Sequence, residues 1–165
     1  MTLLITYLLL TLILSFMCSL LEATLLSSTS SYIESLDKKG YSQKTVDLAK
    51  DIKQNIDKSI SSILTLNTFA NTMGAAGVGA QAAIIFGSNW QAVIAFALTL
   101  MILFISEIFP KTVGAIYWRK FIVPAVYIIS FMVKITYPFI FLATFITKKK
   151  KKGRKNEANF SKDEI

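Results

Sequence analysis

The apolar residues of this chain fall in blocks too long for the helices of an ordinary soluble core. The stretches from about Leu3 to Leu26, Ile60 to Phe86 and Gln91 to Phe109 are dominated by Leu, Ile, Val, Ala and Phe, and about 20 such residues let a helix cross the hydrocarbon of a bilayer. Backbone inside lipid must satisfy its own hydrogen bonds, so blocks of this length read as spanning helices. The predicted fold class is an all-α membrane protein: three transmembrane helices plus a bent juxtamembrane helical segment on the cytoplasmic side. The first block reads as a span rather than a signal peptide. It has no basic n-region, carries Glu22 within the run and offers no small-x-small cleavage site.

Charge then organises the 165 residues. The net +8 is concentrated at the end, where residues 148–165 hold +5 against +3 in the remainder. A basic run directly after an apolar segment reads as an anchor on anionic lipid rather than a nucleic-acid patch. No Lys or Arg precedes Lys38, six lysines lie between Lys38 and Lys58, none lies in the turn at 87–90, and Lys111, Arg119 and Lys120 follow the third block. By the positive-inside rule the N-terminus is outside and the C-terminus cytoplasmic, in a multi-pass protein of the cell (inner or plasma) membrane.

A transmembrane domain over 1–147 is therefore expected, with spans at about 3–26, 60–86 and 91–109, an amphipathic loop at 30–58 and juxtamembrane helices at 112–147. In the loop, Val46, Leu48, Ala49, Ile52 and Ile56 recur at helical spacing, and Asp57 suits an N-cap of the second span. The run 121–147 is apolar enough to span but has basic clusters at both ends, Pro124 and Pro138 as breaks, and Lys134 at its centre. A bent helix lying on the inner leaflet, or a re-entrant pair, reconciles these better than a fourth crossing. The charged tail 148–165 reads as disordered.

Polar residues recur where lipid should be. Ser15, Ser19 and Glu22 stack on one face of the first span, and Asn67, Asn71 and Gly74 repeat that spacing on the second. Ser106, Glu107, Pro110 and Lys111 cluster at the end of the third. Serines in membrane helices commonly bond back to their own backbone, asparagines can join helices, and Glu22 could pair with Lys111. Against this, ionisable groups inside a membrane usually line an ion or substrate path. Pro110 has no N–H and displaces the carbonyl four residues earlier, that of Ser106, which becomes available as a ligand. With no histidine and one cysteine, Cys18, any metal site must use oxygen, and carboxylate, hydroxyl, amide and carbonyl oxygens suit magnesium, calcium or sodium. A broken helix offering carbonyls to a cation is a recurrent transporter device. No nucleophile–base pair suggests an enzyme.

Ser15-x-x-x-Ser19-x-x-Glu22-Ala23, Asn67-x-x-x-Asn71 and Glu107-Ile-Phe-Pro-Lys-Thr112 resemble the transmembrane domain of the CNNM/CorC family over about residues 1–147. The resemblance implies magnesium efflux by a homodimer, with Mg2+ as the transported ion and Na+ as the coupled one. It implies Ser15, Ser19, Asn67 and Glu107 as side-chain ligands, with Asn71 and Glu22 next to them. The family commonly has glycine where Ser106 stands. Its members generally continue into cytoplasmic CBS nucleotide-binding modules, where this sequence has a charged tail. Either it is a membrane-domain-only member, served by a separately encoded CBS-containing partner, or it is part of a longer protein. The competing reading is a non-transporting membrane scaffold or accessory subunit whose polar clusters only hold helices together.

Overall fold

The computed structural model describes the backbone of residues 1–160 and the side chains of residues 1–139. Among them the chain forms α1 (Thr2–Ser27), α2 (Ser30–Glu34), α3 (Gln43–Gln54), α4 (Ile56–Phe86), α5 (Ser88–Met101), a π-helical segment (Ile102–Ile108) and α6 (Phe109–Phe160). Three stretches are long and apolar enough to cross a membrane: Thr2–Ser27, Ile56–Phe86 and Ser88–Phe139. The all-α membrane fold follows.

Local chemistry sets the joints. α1 contains no glycine or proline and ends at Ser28, whose backbone turns extended and whose hydroxyl donates to the Leu25 carbonyl at 2.7 Å. Lys53 Nζ reaches back from α3 to the Leu25 and Ser28 carbonyls at 3.2 and 2.6 Å, placing a cation on the carbonyl end of α1. Burial lowers the pKa of that ammonium. Ser42 caps α3, and Gly87, at φ +86°, makes the tight turn between α4 and α5.

The packed core lies at the lysine-rich end. α3 buries Val46, Ala49 and Ile52 against Ile122, Ala125, Val126, Ile129 and Met132 of α6, together with Leu21 and Leu25 of α1. The amphipathic loop helix thus spends its apolar face on the protein itself. At the other end Leu9, Ile13, Phe69, Ile84, Val93 and Phe96 are exposed, as expected of side chains facing hydrocarbon.

Several boundaries differ from the sequence reading. The second long helix begins at Ile56, with Asn55 as its cap residue and Asp57 inside its first turn. Pro124 and Pro138 lie within a continuing helix, and the break falls earlier, at Tyr117 (φ −102°, ψ 19°). Burial of Ile122, Ala125, Val126 and Ile129 holds the helix together around Pro124. The helical backbone assignment of α6 runs on to Phe160, into the basic tail. Residues 161–165 of that tail lie outside the described residues.

Candidate functional site

Three elements meet in one polar seam. α1 contributes Thr11, Ser15 and Ser19, all buried, and their four-residue spacing keeps them on one face. α4 contributes Asn67 and Asn71, and the π segment contributes Ser106 and Glu107. The helices approach closely because Gly74 offers no side chain: a Cβ there would overlap the Thr11 hydroxyl, and one on Gly77 would meet the Tyr7 ring at 2.8 Å. These glycines therefore serve contact within the chain. At the far end of α1, a Cβ on Gly114 would come within 2.7 Å of the Leu20 carbonyl oxygen.

The hydroxyls separate into two kinds. Thr6, Thr11, Ser62, Thr65, Thr99, Thr112 and Thr136 each donate to the carbonyl four residues earlier. Ser15 and Ser19 do not. Among the described residues, five buried side-chain oxygens or nitrogens lack any hydrogen-bond partner: Ser15 Oγ, Ser19 Oγ, Asn67 Oδ1, Asn71 Oδ1 and Thr24 Oγ1. Four of the five belong to residues that the sequence singled out. A buried oxygen with no partner costs about 1–3 kcal/mol, so their concentration in one seam calls for a ligand or for water.

The π segment sets the third wall. The Phe109 N–H bonds the Phe104 carbonyl, five residues back. Carried one residue on, that register makes Ile105 the carbonyl to which Pro110 fails to donate, where an α-helical register gives Ser106. Ser106 contributes through its hydroxyl instead, which donates to the Leu12 carbonyl at 3.1 Å and ties the segment to α1. Its side chain is thus accommodated against the first span. Glu107 Oε1 accepts from Asn71 Nδ2 at 3.4 Å, which leaves Asn71 Oδ1 as the unpartnered end of that amide. A cleft of about 360 Å³ opens beside Asn71 and Glu107, lined also by Thr72, Ala75, Thr99, Ile102 and Leu103. Ser15, Ser19 and Asn67 do not line it.

Glu22 stands apart. Its carboxylate pairs with Lys111 Nζ at 3.2 Å, joining α1 to the start of α6, and its charge is engaged there. Among the described residues no three Asp, Glu, His or Cys side chains come together as a metal cluster, so one carboxylate and several neutral oxygens make up the site's donors. Sequence reasoning missed the π segment, the Gly114 contact and the Lys53 cap. Only Pro110, within an otherwise unbroken helical run, signalled the first of these.

These features coincide with a family signature. The profile of the cyclin M transmembrane N-terminal domain, CNNM, matches residues 4–165. The chain belongs to this family. Over 127 residues it is 30% identical to a UPF0053 protein of Haemophilus influenzae, a match covering 77% of this chain and 30% of that protein. A UPF0053 protein of Synechocystis is 30% identical over 96 residues, covering 58% of this chain and 28% of its own length. The CNNM-family chain thus spans less than a third of each of these curated relatives.

Proposed function

We propose that this chain is the ion-conducting membrane domain of a magnesium transporter, exporting Mg2+ in exchange for Na+ as a homodimer, with its N-terminus outside and its C-terminus cytoplasmic. The observation that carries the reading is the set of four unpartnered buried oxygens, Ser15 Oγ, Ser19 Oγ, Asn67 Oδ1 and Asn71 Oδ1, on α1 and α4, with Asn71 joined to the Glu107 carboxylate. Magnesium takes about six oxygens at 2.0–2.1 Å and gives up water reluctantly. A pre-formed group of neutral oxygens with one carboxylate can replace part of that hydration while leaving the ion free to move on. Family membership supports a metal-ion transport role. The scaffold reading expects the seam's polar groups to bond one another across helices, and most of their acceptor oxygens do not.

A second protomer would enclose the cleft beside Glu107, and a separately encoded CBS-containing partner would supply nucleotide control. Calorimetric magnesium titration of the purified chain tests the site. Glu107→Gln keeps shape and removes charge, so it should abolish measurable binding, while Ser19→Ala weakens it by a smaller factor. Wild-type affinity in folded Glu107→Gln would move the site elsewhere and favour the scaffold. Magnesium flux in proteoliposomes containing only this chain, with and without a sodium gradient, tests transport and its coupling.

A further inference from the structure

Lys134, a charge in the middle of an apolar run, finds a specific setting. It lines a cleft of about 270 Å³ between the α3–α4 joint and α6, with Lys58, Asn55, Ser59, Ser130, Val133, Ile52 and Asp51. Neither Lys58 nor Lys134 has a carboxylate partner among the described residues. Lys58 lies 5.3 Å from the centroid of the Tyr137 ring, and the Asp51 carboxylate accepts from Asn55 Nδ2 at 2.9 Å. The cleft therefore has two ammonium groups, serine hydroxyls and one already engaged acid.

The same two helices also form a second, larger space further along α4 and α6. Its volume is about 710 Å³, and Leu64, Phe69 and Met73 of α4 and Ile135 and Phe139 of α6 supply most of its apolar wall. Lys134 and Ile135 are consecutive, and Leu64 lies about 9 Å along α4 from Lys58 at the helical rise per residue. A cationic, hydroxyl-bearing cleft and an apolar groove thus follow one another along α4 and α6. A free phosphate would match only the first part and a hydrocarbon only the second.

We infer that the α4–α6 seam binds one anionic phospholipid per chain, its headgroup phosphate between Lys58 and Lys134 and an acyl chain along Leu64, Phe69 and Ile135. This accounts for a lysine in the middle of an apolar run that pairs with no acid among the described residues. It is independent of the cation site.

The test is native mass spectrometry of the purified full chain in detergent, titrated with phosphatidylglycerol, phosphatidylcholine and glycerol 3-phosphate. The first phosphatidylglycerol should bind at least tenfold more tightly than either of the others. Lys58→Ala with Lys134→Ala should weaken it about 30-fold, from about fivefold per lysine near a headgroup. Both side chains are exposed, so the double variant should keep its circular dichroism. Thr68→Trp, which fills the groove, should weaken phosphatidylglycerol without altering charge, and Lys44→Ala should change nothing. The basic tail is present throughout and cancels. Equal binding of phosphatidylcholine, or phosphatidylglycerol retained by the double lysine variant, would overturn the inference. So would glycerol 3-phosphate binding as tightly as the lipid, which would make this a soluble-phosphate site. If Thr68→Trp disrupts a dimer and leaves lipid binding unchanged, the groove holds a second copy and the inference is likewise wrong.

Discussion

Replacing Gly74 by alanine tests whether the polar seam is held at a fixed width. The added Cβ would overlap Thr11 Oγ1 and lie 2.7 Å from both Thr11 Cβ and Cγ2. Thr11 cannot easily yield, because it is buried and its hydroxyl is bonded to the Tyr7 carbonyl. The helices must separate or Thr11 must leave its rotamer, which costs about 1–3 kcal/mol as overpacking. Alanine's better helix propensity returns about 1 kcal/mol, so the net cost is about 0–2 kcal/mol. Gly79 is the internal control, since a Cβ there finds nothing nearer than Gln91 Nε2 at 3.8 Å. Gly79→Ala should therefore be neutral or stabilising. Reversible unfolding in mixed micelles measures both, and magnesium titration should show Gly74→Ala losing affinity as Ser15 and Ser19 move away from Asn67 and Asn71. Thr11→Ala removes two of the three clashing atoms and should recover part of the loss, a coupling of about 0.5–2 kcal/mol. Equal stabilities for Gly74→Ala and Gly79→Ala would refute the close-contact argument.

Three further outcomes are expected. Glu22→Gln and Lys111→Met should each cost under about 1 kcal/mol in the same unfolding assay, as the lysine is largely solvated, and leave magnesium affinity unchanged; a large loss of affinity in Glu22→Gln would put that carboxylate in the ion path. In a Cys18→Ala background, an impermeant thiol reagent should label Ser88→Cys in intact cells and Lys38→Cys only after lysis, and the opposite pattern would invert the topology. Burial lowers the Lys53 pKa, so between that value and 10.5 the unfolded chain holds a proton the folded chain has shed, and stability rises with pH across that window; Lys53→Gln should flatten this rise in thermal unfolding between pH 8 and pH 10.5, and an unchanged slope would assign it to other groups.

The fold and the site were legible to different depths. Span identity depends on long runs of transfer free energy, which single residues cannot disguise, so the three apolar blocks stood out. Helix breaks depend on local competition, and there the sequence misled. Pro124 and Pro138 each remove one backbone bond, but Ile122, Ala125, Val126 and Ile129 bury a continuous face around the first of them and the helix persists. Tyr117, with no intrinsic breaking tendency, takes the kink. The residues of the seam were visible as polar exceptions in apolar runs. Their bonding was not, because whether Ser15 donates to its own backbone depends on a rotamer that sequence does not encode.

That rotamer is where the physical argument for a ligand concentrates. Tight contacts surround the four unpartnered oxygens. Gly74 abuts Thr11 on one side, Ser106 bonds the Leu12 carbonyl, and Gly114 abuts Leu20 beyond the Glu22–Lys111 pair. A loosely packed seam would let the serines rotate and back-bond, as eight other hydroxyls among the described residues do. Here α1 and α4 are closely packed and the Ser15, Ser19, Asn67 and Asn71 oxygens stay unpartnered, at an unmet cost of about 1–3 kcal/mol per oxygen. Water can satisfy such groups individually, whereas under the proposed function a cation would satisfy several at once and offset the cost of holding them apart. Ser15→Ala with Ser19→Ala should therefore stabilise the ion-free fold or leave it unchanged, while lowering magnesium affinity. A purely structural role for these hydroxyls requires the opposite sign in stability.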